Sequence, residues 1–203
     1  PGRLNPTQLR MLRFKENQKK LAQNIGSIAI LPFNNFTGDE GQEYLACGMH
    51  DALISALGQL GAINVISRTS TLSYENTKKP IKDIASELNV DAIMEASLLG
   101  VGENIRVQLK LFSAFPEEQQ LWSQTFDTNV SNILDLYNEV TKNIVNEIQI
   151  TLSSEQETQL TESREVNPAA YMAYLRGMYN LNQLTPEGIE KGLEYLHEAV
   201  RID

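Results

Sequence analysis

Residues 27–57 read SIAILPFNNFTGDEGQEYLACGMHDALISAL: an apolar run, a polar turn marked by glycines, then a helical pattern. The run SIAILPF is continuously apolar, which predicts a strand buried on both faces. Pro32 has no N–H for a ladder, so the strand is expected to end there. Residues 34–42 are Asn, Thr, Gly and Asp in the main, and read as a turn. From Glu43 onward Leu45, Met49, Ala52, Leu53, Ala56, Leu57 and Leu60 recur at helical spacing, and Gly61 supplies a stop. The layout is that of phosphate-binding loops and of many active sites.

Working outward, INVIS (63–67) reads as a second strand. Pro80 opens a short helix with Ile81, Ile84, Ala85 and Leu88 on one side, and DAIMEASLLGV (91–101) reads as a third strand. Strand, helix, strand, helix, strand is the order of a parallel α/β arrangement. The rule then changes. In IRVQLKL (105–111) Ile105, Val107, Leu109 and Leu111 alternate with Arg106, Gln108 and Lys110, the pattern of an antiparallel strand with one wet face. GEN and PEEQ flank it as turns, and LWSQTFD (121–127) is the return strand. A helix follows, striped by Ile133, Leu136, Tyr137, Val140, Ile144, Ile148 and Leu152.

The expected fold class is therefore α/β, a mixed sheet with flanking helices, followed by an α-helical hairpin. Residues 1–25 form a basic linker or helix, with Leu9, Leu12 and Leu21 near one stripe of 6–23. Residues 26–152 form the α/β unit and 153–166 a polar linker. Residues 167–203 hold two helices marked by Tyr171, Tyr174, Leu175 and Met178, then by Ile189, Leu193, Leu196 and Val200, with LTPEG between them.

At 203 residues, 41% hydrophobic and 21% charged, the composition is that of an ordinary globular protein. No apolar run is long enough to span a membrane, and no signal peptide is visible. The chain starts on Pro1 and stops in mid-pattern at VRID, so it reads as part of a longer protein. A net charge of −9 disfavours nucleic acid, except through residues 1–24, where six Lys or Arg stand against Glu16. With one cysteine, Cys47, no internal disulfide can form.

A phosphate loop needs glycines beside positive charge, but Gly38 and Gly41 are surrounded by Asp39, Glu40 and Glu43. The first cation after Ser27 is Arg68, and no recognised metal-loop spacing is present. Cys47 and His50 share a helix face, yet a nucleophile–base pair also needs an orienting group and an oxyanion site. Trp122, Phe126, Tyr74 and Phe112 read as sheet packing rather than ligand stacking. None of the short catalytic or dinucleotide motifs occurs, so no catalytic residue, metal or cofactor is expected and the chain is read as not being an enzyme.

The stretch 27–57, with VISRTST, DAIMEASL and LWSQTFD after it in that order, resembles the TolB amino-terminal-like domain. That resemblance covers about 26–152 and implies a small mixed α/β sheet. In the family such a domain sits between an upstream effector or DNA-binding part and downstream tetratricopeptide repeats. Gly177, Gly192, Leu196 and Ala199 fall near the repeat pattern, so 167–203 is similar to a first repeat. Two departures stand out: Cys47 replaces the family's Asp before Gly48, and His50 replaces a small hydroxyl residue, which would remove an N-terminal cap.

The resemblance implies a regulatory interaction module of a bacterial signalling or transcription-regulatory protein. A protein partner is expected through the repeat region, with a homodimer as a second form of association. The upstream part would be a DNA-binding domain, a nucleotide cyclase or another effector. The alternative is a small-molecule sensor binding at the strand ends. Phe33, Asn34, Asn35, Asp39, Glu43 and Arg68 are the candidate contacts for ligand or partner. The expected compartment is the cytoplasm, or the periplasm if a membrane helix precedes the chain.

Overall fold

A computed structural model describes residues 25–148 and 166–203. The linker helix expected over 6–23, Leu152, and all but the end of the 153–166 linker lie outside those residues. Strand β1 (Ser27–Ile30) lies between β3 (Asn64–Val65) and β4 (Ala92–Val101) and is parallel to both. Antiparallel β5 (Asn104–Ser113) and β6 (Gln119–Asn129) complete the order β3-β1-β4-β5-β6. The parallel half and the antiparallel half thus fall where the sequence places them.

Ile28, Ala29 and Ile30 are all fully buried, because both sheet faces are covered. Ile28 and Ile30 enter the main core beneath α1 (Glu43–Leu60) and α4 (Ile133–Glu147). Ala29 and Leu31 enter a second cluster with Ile81, Ile84 and Ala85 of α3 (Ile81–Leu88). Side chains alternate along a strand, so neighbouring residues serve opposite layers.

Two local features differ from the sequence reading. Residues 34–42 are not wholly turn: β2 (Asn34–Asn35) resumes beyond Pro32 and pairs in parallel with Ser97 and Leu98 of β4. Phe33 causes this, since its buried ring anchors chain that its polar neighbours alone would leave in solvent. The second strand is shorter than INVIS, and after it come a one-turn α2 (Arg68–Thr71) and a 3₁₀ turn over Leu72–Tyr74. Ser67 caps α2 by accepting from the Ser70 N–H.

Helix α1 ends as expected at Gly61, whose φ of 62° is left-handed and whose N–H reaches the Gly58 carbonyl. His50 is eight residues into α1, so its substitution removes no cap; the correction comes from helix register, which begins at Glu43. Along β5, Ile105, Val107, Leu109 and Leu111 are buried, each contributing about 2 kcal/mol. On the wet face Arg106 forms a bidentate ion pair with Asp127 of β6. Of the four aromatics read as sheet packing, Phe126 is in the main core with Trp122 packed against it, and Phe112 and Tyr74 pack against the second cluster.

Helices α5 (Pro168–Leu181) and α6 (Pro186–Ile202) form the C-terminal hairpin. Both start alike: Asn167 and Thr185 accept from the backbone N–H two and three residues on, and Pro168 and Pro186 occupy the first turn. Helix α5 also docks on α1. Leu175 is buried in the same cluster as Met49 and Leu53, and Gly48 makes room for it: a Cβ there would lie 2.6 Å from Leu175 Cδ2. The structure shows a helical hairpin; it does not by itself make the hairpin a tetratricopeptide repeat.

Candidate functional site

The loop after β1 is held by its own polar groups. Asn35 Oδ1 accepts from the Thr37 N–H (3.1 Å) and hydroxyl (2.7 Å), while its Nδ2 donates to Glu43 Oε2 at 2.8 Å. Asp39 Oδ1 accepts from the Gly41 N–H at 2.8 Å. A φ of 73° at Gly38 permits the turn between these two arrangements. Of the candidate contacts, Phe33 is buried, Asn34 and Asp39 face solvent, and Asn35 with Glu43 are joined to each other.

Arg68 opens α2 and faces Asp51 on α1. Its Nε lies 3.1 Å from Asp51 Oδ1 without hydrogen-bond alignment, so the pair is a charge contact. Glu43, Cys47 and Asp51 are four residues apart and share one face of α1. The structure therefore aligns Asn35, Glu43 and Arg68 along that face, while Phe33 serves the core instead. Burial pushes the Cys47 thiol up to about 11; the nearby Glu43 carboxylate adds to this and Arg68 opposes it. A thiol held so high is protonated at neutral pH and a poor nucleophile.

His50 is occupied elsewhere. Its Nε2 carries the proton, which it donates to the Ile30 carbonyl at 2.8 Å, and Thr71 Oγ1 stands 3.3 Å from the same nitrogen. The Thr71 hydroxyl in turn donates to the Arg68 carbonyl at 3.0 Å. One imidazole thus ties α1 to the end of β1 and to α2. Burial lowers the His50 pKa, against smaller raising effects of the Ile30 carbonyl and Asp51; Arg68 adds to the lowering.

This has a pH consequence. Above the ordinary value of 6.5 the ring is neutral folded and unfolded, and contributes no slope. Below it the unfolded chain takes up a proton that the folded chain refuses, so stability falls until the folded value is passed. The expected slope is up to about 1.4 kcal/mol per pH unit. Denaturant titrations between neutral and mildly acidic pH should show this step, and His50→Gln should lack it; an identical step in the variant refutes the assignment.

The second feature is a cleft of about 660 Å³ between the loop at Asp39–Gln42, the β4–β5 turn and the start of α5. Gln42, at the start of α1, donates from Nε2 to the Gly102 carbonyl at 2.8 Å and joins two of these walls. Arg176 of α5 lies over the rings of Tyr44 on α1 and Tyr195 on α6, 5.0 and 6.0 Å from their centroids. No sequence motif marks Arg176, since nothing local signals a cation whose ring neighbours come from two other helices. Among the described residues no group of three His, Cys, Asp or Glu is placed to hold a metal, and no helix is long and apolar enough to cross a membrane.

No family model matches the chain. A protein of Rhizobium meliloti (strain 1021) named "Putative adenylate cyclase 3" is 28% identical over 177 residues, which are 87% of this chain and 30% of that protein. Among solved structures, TolB from Acinetobacter baumannii aligns with 64% of this chain and 30% of its own, at 16% identity and a TM-score of 0.47. A lipoprotein from Neisseria meningitidis aligns with 60% of this chain and 99% of its own, at 15% identity and a TM-score of 0.45. The LpoB C-terminal domain from Salmonella enterica aligns over 57% and 94%, at 16% identity and 0.41.

The relative from Rhizobium meliloti corrects one expectation. The missing motifs predict a chain that is not an enzyme, but 87% of it aligns with a protein named as a cyclase, which overturns that exclusion. The exclusion rested on missing short motifs, and catalytic groups brought together by folding need no such motif. The cytoplasmic expectation gains no support from these comparisons.

Proposed function

We propose that this chain is a regulatory protein-contact module of a longer bacterial protein of the adenylate cyclase kind. In this reading a TolB-like α/β unit carries a tetratricopeptide-type hairpin, and the outward face of α6 takes an amphipathic helix of a protein partner. The observation that carries it is the stripe Ile189, Leu193 and Val200, which are 44%, 48% and 78% exposed. They fall within about 40° of one another around the helix axis, at its 3.6-residue period. Leu196, about 20° from Ile189 on the same side of the helix, and Gly192 reach into the crossing with α5 at the inner edge of the stripe. Glu190 and Glu194 border the stripe on one side, and Glu198 and Lys191 occupy the opposite, solvent face, so α6 is amphipathic.

The hairpin is not loosely hung. Leu175 in the main core and the Tyr137 hydroxyl, which donates to the Ala52 carbonyl at 3.1 Å, connect α5 and α4 to α1. A partner seated on α6 therefore acts on a body continuous with the sheet, and can bias how the rest of the protein is arranged. The similarity to a protein named as a cyclase supports cyclase regulation as the setting.

The test is capture of partners by the chain beside its Leu193→Glu/Val200→Glu variant. Both sites are exposed, so the variant should keep its stability within about 0.5 kcal/mol. The expected result is specific capture by the parent chain and loss of it in the variant, with light scattering showing whether the captured species is a second copy. Equal capture by both chains sinks the proposal.

A further inference from the structure

The cleft beside Asp39–Gln42 holds opposite charges that do not meet. Asp39 and Glu103 line one side, on the loop and the β4–β5 turn; Arg176 and Met172 line the other, on α5. Among the described residues no ion pair joins Arg176 to either carboxylate. Tyr44 and Tyr195 place their rings 5.0 and 6.0 Å from the guanidinium carbon, and a guanidinium carries five N–H donors, more than these neighbours take up. Among the described residues its guanidinium makes one hydrogen bond, a long contact of 3.5 Å to the Tyr44 hydroxyl.

We infer that this cleft binds a small zwitterion of the amino-acid or dipeptide class. The carboxylate lies on the edge of Arg176, the ammonium faces Asp39 and Glu103, and the apolar side chain rests on Met172. A plain anion would meet two carboxylates, and a plain cation would meet the guanidinium; a molecule with both charges satisfies each side. The cleft volume is within the ordinary range for small-molecule sites. Because the walls belong to the α/β unit and to α5, the bound molecule stabilises the docked position of the hairpin. This site goes beyond the protein-contact reading and uses none of the outward residues of α6.

Leucine and glycyl-leucine are the probes, titrated calorimetrically into the whole chain. Isocaproate, which lacks the ammonium, and isoamylamine, which lacks the carboxylate, are the controls. A zwitterion should bind at least about tenfold more tightly than either control, and Arg176→Gln and Glu103→Gln should each weaken it about tenfold. The Leu193→Glu/Val200→Glu variant should bind it unchanged, which separates this site from partner contact through α6. No heat from either zwitterion at millimolar concentration, equal binding by a control, or full affinity in either cleft variant overturns the inference.

Discussion

A Gly177→Val chain is expected to lose the C-terminal hairpin. A Cβ at Gly177 would stand 2.8 Å from the Leu196 side chain and 3.1 Å from the Gly192 carbonyl oxygen. One at Gly192 would stand 3.0 Å from the Gly177 carbonyl oxygen. The two glycines let the backbones of α5 and α6 touch, and backbone cannot retreat as a side-chain tip can. Overpacking commonly costs about 1–3 kcal/mol, and a branched side chain against a carbonyl belongs at or above the top of that range. Far-UV circular dichroism in denaturant and limited proteolysis of 168–203 would show the loss. Gly177→Ala should lose less, since alanine recovers about 1 kcal/mol of helix propensity. An undisturbed melting temperature in Gly177→Val would rule out the close crossing.

Gly48→Leu should detach the hairpin from the α/β unit while leaving each part folded. The site is packed by Leu175, with Cδ2, Cδ1 and Cγ at 2.6, 3.2 and 3.2 Å from a Cβ built at Gly48. Leu175→Ala alone should cost about 2–5 kcal/mol, because it empties a buried position in the main core. Combined, the two changes should cost less than their sum by about 1–3 kcal/mol, since each relieves the other's misfit. Hydrogen exchange over α5 and denaturant unfolding of the four chains in the cycle measure this. Simple additivity would mean that α5 does not rest on α1 at Gly48.

The same pair shows how far local pattern reaches. The departure of Cys47 and His50 from the family pattern is visible in the sequence, but its meaning is not. Gly48 between them is explained only by Leu175, which lies more than a hundred residues away. His50 reads locally as half of a nucleophilic pair with Cys47. In the folded chain its proton goes to Ile30, and the thiol is held protonated by burial.

The candidate contacts divide in the same way. Glu43 and Asn35 meet, as their closeness in sequence allows, and Arg68 joins their line through Asp51. Phe33 is spent on the core, where it draws β2 out of what reads as a turn.

What the sequence by itself determined is the order and period of the elements. The buried run of β1, the alternation along β5, Gly61 closing α1 and Pro186 opening α6 are all set by residues within a few positions of one another. Backbone hydrogen bonding and side-chain direction are local and have fixed periods, so a linear pattern carries them. Tertiary structure alone decided what crosses between elements: Arg176 held by rings on α1 and α6, the glycine contact of α5 with α6, and the cleft lined by Asp39, Glu103 and Arg176. Those depend on how close two distant backbones come, and no period along the chain encodes that distance.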